Sequence, residues 1–456
     1  MTRTVSDQSE RKFVGMVGYG VGDFGLNIYW NTLSIWLVYW YTDVVGLRPE
    51  LAGLLFLIGM VWDAVSDPII AGASERVRTR HGTYRPFLLY GSFGLGAAFC
   101  LLFWVPPFHG YVLISILVIV ALTFRTTYTL VAIPYAAMSS RLTYDSVERS
   151  ELSGVRMFFA FAGLLCVSFM VPSLARFFSG GSDYTATGFQ SVAVLGAILA
   201  TIFILICIVS KRENPVPPKA ANPPASLREI RRSFQSNRAL HILLLVIFLQ
   251  SGANASLMIS LVFFIEANQS VFAEKEIVLS SFAIATIIGV PLWTLVIRGL
   301  GKKISWCLSS LAIGVCGLQM LLFGPFVIAG IPAQVIAYGF CLAAFPVLFW
   351  AFIPDTVEFG QIQSGMRSEG VVFGSVLIVQ KISGGLMGVV VTQVLALIGY
   401  GTVSEVADAR IAAGLTTFLA VCPPLMFALS MIPVCFLPIN RHIHADIVDK
   451  LSNPAR

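Results

Sequence analysis

Charge is what this chain has least of. Only 12% of its 456 residues are Asp, Glu, Lys or Arg, about half the share found in soluble globular chains. So few charges cannot clothe a water-facing surface. The 57% hydrophobic content and mean hydropathy of +0.82 describe a polytopic membrane protein. Histidine is scarce too: the five present lie at segment ends or in loops, which argues against a histidine proton relay within the membrane. The eight cysteines form no CxxC and no cluster; each falls in an apolar run and reads as a packing residue, not a disulfide partner or metal ligand. With no nucleotide-binding glycine loop, nucleophile–base pair or metal cluster, an enzyme is excluded. The net charge of +6 is scattered over loops, with no nucleic-acid-binding stripe. A polar start, MTRTVSDQSERK, precedes an apolar run too long for a signal-peptide core, so no cleaved targeting segment is expected.

What is present is hydrophobic length. About 20 apolar residues cross a bilayer core as helix, and such stretches fall near residues 14–41, 50–74, 86–106, 110–139, 154–176 and 188–210. A second set falls near 239–264, 276–299, 304–326, 331–353, 370–399 and 411–438. Spans 4 and 10 read as ending near prolines, in a proline-containing turn and in IPDTVEF. Residues 211–238 are proline-rich, then basic, and read as a cytoplasmic linker. The expected architecture is therefore an all-α membrane protein of twelve transmembrane helices. They form two six-helix bundles, 1–210 and 239–438, with a cytoplasmic tail at 439–456. With the N-terminus placed inside, 24 of the 30 Lys and Arg residues fall in inner loops and tails and 4 in outer loops, so both termini are expected in the cytoplasm. The halves echo each other: Arg149-Ser150-Glu151 after span 4 recurs as Arg367-Ser368-Glu369 after span 10. Six plus six helices about a long inner loop is the layout of transporters built from two similar bundles.

Ionisable residues at membrane depth are functional-site candidates by default. At about 1.5 Å per residue, Asp23, Asp63, Asp67, Arg125, Thr129 and Lys381 all come to lie roughly 10–21 Å from the cytoplasmic ends of their spans. In VWDAVSDPII, Asp63 and Asp67 stand one turn apart on one helix face. Two carboxylates so close in a low dielectric call for a cation beside them. Pro68 frees the carbonyl of Ala64, and the Ser66 hydroxyl adds another oxygen, so the group suits Na+ or H+. The other reading makes the two acids salt-bridge partners of Arg125 or Lys381. In GYGVGDFGLNIYW, Asp23 and Asn27 form a second i, i+4 pair; Asp23 either binds substrate hydroxyls or carries a proton, or is neutralised by Arg156 or Arg125. Arg125 and Lys381 either meet an anionic substrate or balance the acids. The loop runs ASERVRTRHGTYRPF and SSRLTYDSVERSEL read as solvated loops or as a charge latch closing the inner face.

YGVGDFGLN, YWYTDVVGL, WDAVSDP followed by RTRHGTYRPF, and PDTVEFGQIQSGMRSEG resemble the glycoside–pentoside–hexuronide:cation symporters of the major facilitator superfamily, over nearly the whole chain. The resemblance implies a secondary active symporter in the inner membrane, with a cation site at Asp63, Asp67 and Thr129. Tyr128, Arg156 and Lys381 match substrate-site positions of melibiose-transporting members. Those members carry asparagine where this chain has Ser66, a lysine–aspartate pair at Leu26 and Asn27, and aspartate and tryptophan at Ala132 and Ala136. They have tryptophan at Pro346 and threonine at Leu377. The coupling groups are thus kept while most galactoside-clasping groups are absent. The gain of Arg125 points to a glycoside bearing a uronic acid, or to another carboxylate.

The expected cation-binding residues are Asp63, Asp67, Ser66 and Thr129; the expected substrate-binding residues are Asp23, Asn27, Arg125, Tyr128, Arg156 and Lys381. No cofactor is expected beyond the coupling Na+ or H+. The expected partners are a small-molecule substrate, that cation and membrane lipid, with no nucleic acid and a monomeric state. A cation-coupled carrier of lysolipid, other amphiphile or organic acid, or a non-transporting sensor, is the alternative.

Overall fold

The computed structural model describes residues 5–77, 82–142, 146–181, 184–210, 234–364, 369–400 and 405–439. The chain divides into two compact units, residues 1–221 and 222–456. In the first, α1 (Val5–Tyr39) runs into a π-helical turn at Trp40–Val44. It is followed by α2 (Pro49–Arg76), α3 (Arg85–Leu102), α4 (Gly110–Leu142), α5 (Ser146–Phe178) and α6 (Ala186–Ser210). The second holds α7 (Arg238–Glu266), α8 (Lys275–Leu300) and α9 (Lys302–Phe323). A two-residue hairpin then pairs Val327–Ile328 with Ile331–Pro332, before α10 (Ala333–Leu342), α11 (Ala344–Ser364), α12 (Glu369–Ile398) and α13 (Glu405–Phe436).

Among the described residues, 11 helical stretches are long and apolar enough to cross a membrane, α10 and α11 together supplying one of them, Ala333–Gln363. The twelfth is α1, whose 35 residues are ample in length but whose glycines, tyrosines and asparagines dilute its hydropathy. Two expected helix ends move outward. Pro134 lies inside α4 and Pro354 inside α11, where neither ends its helix. In an apolar bundle, packed neighbours and hydroxyl side chains compensate the backbone bond that a proline removes. α3 instead stops at Leu102, ahead of Pro106 and Pro107, where the chain turns.

Within each unit the packing follows the same order. α1 lies against α5 and α6, α2 against α4, and α3 between α4 and α6; correspondingly α7 lies against α12 and α13, α8 against α10, and α9 against α10 and α13. The close α1–α6 approach needs Gly25, where a Cβ would stand 2.7 Å from the Ala200 carbonyl oxygen. Beyond that contact Trp36 and Trp40, both 0% exposed, close one end of the unit with Tyr39, Phe103, Tyr184 and Phe189 in edge-to-face and tilted contacts, the geometry aromatic quadrupoles favour. These layers hold the polar residues of α1, α2, α4 and α5 at fixed heights. All eight cysteines are free thiols.

Candidate functional site

Helices α2 and α4 of the first unit are joined by polar rungs inside an otherwise apolar interface. Asp63, 1% exposed, and Arg125, 3% exposed, form an ion pair in which Arg125 Nη1 donates to Asp63 Oδ2 at 2.5 Å. Thr129 donates to Asp67 Oδ1 at 2.9 Å. Both contacts span 62 positions, as expected of two helices running the same way in register. A third rung, at the exposed edge of the helix pair, joins Trp62 Nε1 to Thr126 Oγ1 at 2.9 Å.

The Arg125 side chain lies in a groove that α2 provides for it. Its guanidinium carbon stands 5.8 Å from the Phe56 ring centroid, within cation–π range, and Nη1 is 3.5 Å from the Met60 sulfur. Gly59 forms the floor: a Cβ there would run into the arginine, with Cδ 2.9 Å and Cζ 3.0 Å away. Phe56, Gly59, Met60 and Asp63 follow the i, i+3, i+4, i+7 spacing of one helix face. Arg125 Nη2 has no hydrogen-bond acceptor among the described residues. Ser66, buried one turn from Asp63, likewise keeps a hydroxyl with no hydrogen-bond partner among them.

A second ion pair ties α1 to α5. Arg156 Nε donates to Asp23 Oδ2 at 2.6 Å, and Nη2 lies 3.4 Å from Oδ1. The guanidinium lies over two stacked tyrosines, 5.1 Å from the Tyr135 centroid and 5.8 Å from that of Tyr19. Tyr19 donates its hydroxyl to the Tyr135 carbonyl at 2.6 Å. The Tyr135 hydroxyl sits 2.9 Å from the Tyr19 carbonyl and 3.0 Å from Asp23 Oδ2, so its single proton is shared between them. Asn27 donates to the Asp23 backbone carbonyl at 2.8 Å; its amide is held along its own helix and not by the Asp23 carboxylate. Tyr128 stacks on Trp30 at 5.8 Å and on Phe124 at 6.1 Å.

Nine of the ten residues singled out from sequence thus lie in the first unit, where the ion pairs and the threonine bond join Asp23 to Arg156, Asp63 to Arg125 and Asp67 to Thr129. Lys381 lies half-buried on α12, in the second unit. Arg156 is a helical residue of α5. Of the two loop runs read as a latch, residues 78–81 and 143–145 lie outside the described residues.

Several groups escaped the sequence reading. Gly59 could have been found as the residue one turn before Asp63, and Tyr19 as the one a turn before Asp23. Tyr135 carried no local signal. In the second unit, Lys302 of GLGKK donates to Asp355 Oδ2 at 2.6 Å and to the Ala351 carbonyl at 2.9 Å. Asn237 caps α7 and donates to the Thr356 carbonyl at 3.0 Å, beside Gly360, where a Cβ would strike the Asn237 amide. The PDTVEFG motif is thereby fastened to two other helices.

Residues 18–441 match the family model described as MFS/sugar transport protein. The chain is 27% identical to the glucuronide carrier protein homolog of Escherichia coli, over 96% of this chain and 95% of that one. It is 25% identical to the isoprimeverose transporter of Lactiplantibacillus pentosus, over 93% and 88%. Among solved structures it is similar to a bacterial homologue of the human lysosomal transporter Spinster, with TM-score 0.67 and 14% identity over 95% of this chain and 99% of that one. The xylose transporter XylE of E. coli gives TM-score 0.62 and 11% identity, over 94% and 96%.

Proposed function

The chain belongs to the MFS/sugar transport family of multi-pass membrane transporters, and from that premise we propose that it is a secondary active symporter. It couples entry of Na+ or H+ to uptake of a glycoside-like substrate by alternating access, with both termini cytoplasmic. The observation that carries this reading is the set of carboxylate rungs between α2 and α4. Asp63, buried, and Asp67, half-buried, lie one turn apart, with the Thr129 hydroxyl bonded to Asp67 and the buried Ser66 hydroxyl without a hydrogen-bond partner among the described residues. Acids at that depth are costly to maintain without a role. Coupling requires that the cation bind one conformation better than the other, and a carboxylate pair whose charge must be balanced provides that difference.

Asp23, Asn27, Tyr128 and Arg156 are the substrate contacts that the first unit supplies in this proposal, and Lys381 is the one assigned to the second. Trp30 beside Tyr128 offers a stacking surface of the kind a sugar ring uses. A carboxylate on the substrate is supported by Arg125, whose buried Nη2 has no acceptor among the described residues, and by the relative named as a glucuronide carrier homolog. The protein needs no cofactor beyond the coupling ion and works as a monomer.

The test is the melting midpoint of purified protein against neutral glycosides, uronides, simple organic acids and lysolipids. A ligand that binds only the native state raises the midpoint. A rise with glycosides, largest with uronides, is the expected result. A rise with lysolipid alone would replace this reading by an amphiphile carrier.

A further inference from the structure

We infer that Tyr135 is a positioning residue of the substrate site: together with Arg156 it engages one oxygen of Asp23, Oδ2, and so keeps the other, Oδ1, for a substrate hydroxyl. The inference rests on the reading of Asp23 and Arg156 as substrate contacts and deepens it by naming the group they take.

The local sequence makes room for Tyr135. In YGVGD, Tyr19 and Asp23 stand one turn apart on one face of α1, and both glycines between them mark close approaches. A Cβ at Gly20 would stand 2.7 Å from Val155 Cγ1, on the helix that carries Arg156; one at Gly22 would stand 2.6 Å from Tyr135 Cε2. The first glycine thus admits α5, and the second admits the Tyr135 ring. The Arg156 guanidinium lies over that ring, 5.1 Å from its centroid, while the Tyr135 hydroxyl reaches Asp23 Oδ2 at 3.0 Å. One side chain therefore touches both members of the ion pair. Tyr19 and Tyr135 are 0% and 2% exposed, whereas the side chains of Arg156 and Asp23 are 20% and 10% exposed. The pair keeps an accessible edge that its tyrosine support lacks.

The hydrogen bonds decide which atom that edge offers. Oδ2 receives Arg156 Nε at 2.6 Å and the Tyr135 hydroxyl at 3.0 Å. Among the described residues Oδ1 has Arg156 Nη2 alone, at 3.4 Å, longer than an ordinary charge-assisted bond. The Tyr19 carbonyl, 2.9 Å from the same hydroxyl, is a neutral acceptor that the helix N–H four residues on already serves, so the proton favours the carboxylate. Without that hydroxyl Oδ2 keeps one donor. The carboxylate can then turn into the parallel two-bond pairing that a guanidinium fork prefers, with Nη2 closing on Oδ1. The oxygen offered to substrate is then spent within the pair. An ionised carboxylate only accepts, so the glycoside group it takes is a hydroxyl; a substrate carboxylate or ether oxygen has no proton to give.

The experiment reads binding from the rise in melting midpoint with a panel of methyl hexosides, pentosides and uronides, and with the monodeoxy derivatives of the one that binds most tightly. It compares the wild type with Tyr135→Phe and Asp23→Asn. In the wild type one monodeoxy derivative should bind about tenfold or more weakly than its parent, the worth of a hydrogen bond to a charged group, and so mark the hydroxyl that Oδ1 accepts. Tyr135→Phe keeps the ring under Arg156 and should melt close to the wild type without ligand. It should bind the parent about tenfold more weakly and no longer distinguish it from that deoxy derivative. A purely structural role would instead lower the ligand-free midpoint and leave the preference among derivatives unchanged. If Tyr135→Phe binds the parent as the wild type does, or weakens parent and derivatives by one common factor, while Asp23→Asn loses binding, the inference is overturned and the substrate reading stands. Should Tyr135→Phe not fold, Gly22→Ala, whose Cβ displaces the same ring, is read by the same criteria. A wild type that binds every monodeoxy derivative as well as the parent overturns the inference without either variant. A wild type whose midpoint no member of the panel raises, or an Asp23→Asn that binds like the wild type, defeats the substrate reading and the inference with it.

Discussion

Replacing Gly59 by alanine adds one methyl group to α2 and tests whether the arginine slot is built as described. In a helix interior, alanine is ordinarily preferred over glycine by about 0.5–1 kcal/mol. At Gly59 the new Cβ would fall 2.9 Å from Arg125 Cδ and 3.0 Å from Cζ, well inside van der Waals contact. Gly72, on the same helix, has nothing within 4 Å of such a Cβ and serves as the control. The propensity gain is common to both substitutions and cancels in their difference. What remains is the cost of overpacking, about 1–3 kcal/mol, rising to about 3–5 kcal/mol if Arg125 is driven off Asp63 and a buried charge loses its partner. At about 2–4 °C per kcal/mol for a unit of this size, Gly59→Ala should melt roughly 2–12 °C below Gly72→Ala at the overpacking cost alone. The cycle closes with Arg125→Ala: once the arginine is truncated, alanine at 59 should become as well tolerated as alanine at 72. Equal midpoints for Gly59→Ala and Gly72→Ala in the wild-type background would refute the packing argument.

Other substitutions probe the remaining contacts. Arg156→Gln should destabilise by about 3–5 kcal/mol, because it strands the buried Asp23 carboxylate, and Asp23→Asn by less, because the Arg156 side chain is 20% exposed. The double variant should cost clearly less than the sum, and strict additivity in chemical or thermal unfolding would contradict the pairing. Thr129→Ala removes a hydrogen bond to a carboxylate, worth about 1.5–3 kcal/mol, and should weaken the coupling ion's effect on uptake by roughly tenfold or more while glycoside-induced melting shifts persist; an unchanged ion dependence would remove Thr129 from the site. Lys302→Met removes the amine that faces Asp355, whose side chain is 9% exposed although the lysine's is 33%, so the stability loss should exceed the about 1 kcal/mol of a fully exposed pair. A loss below that in chemical unfolding would mean the pair contributes no more than a surface contact.

Much of this was legible in the sequence. Span positions follow from hydropathy and length, and the two units repeat one packing order. The prolines misled for a physical reason. Pro134 and Pro354 would end helices in water, but inside a bundle their lost backbone bonds are absorbed and the helices continue. Residue chemistry marked Asp23, Asp63, Asp67 and Arg125 because charge at membrane depth is costly wherever it lies. Which acid meets which base was not legible, since that depends on the register of α2 on α4 and of α1 on α5. One turn of slip between α2 and α4 would set Arg125 against Asp67. Gly59 shows the same limit: among 39 glycines its role appears only when the arginine that crosses it is placed.

The account's central claim is that the buried carboxylates couple a cation gradient to substrate accumulation. It is tested most directly by uptake of a labelled uronide into proteoliposomes under an imposed inward cation gradient, for wild type and Asp67→Asn, with substrate exchange at equilibrium measured alongside. The account predicts that the wild type concentrates the uronide above the external level, and that Asp67→Asn exchanges it but reaches no more than equality. Accumulation that survives in Asp67→Asn, or a wild type that only equilibrates under every cation gradient imposed, would contradict it.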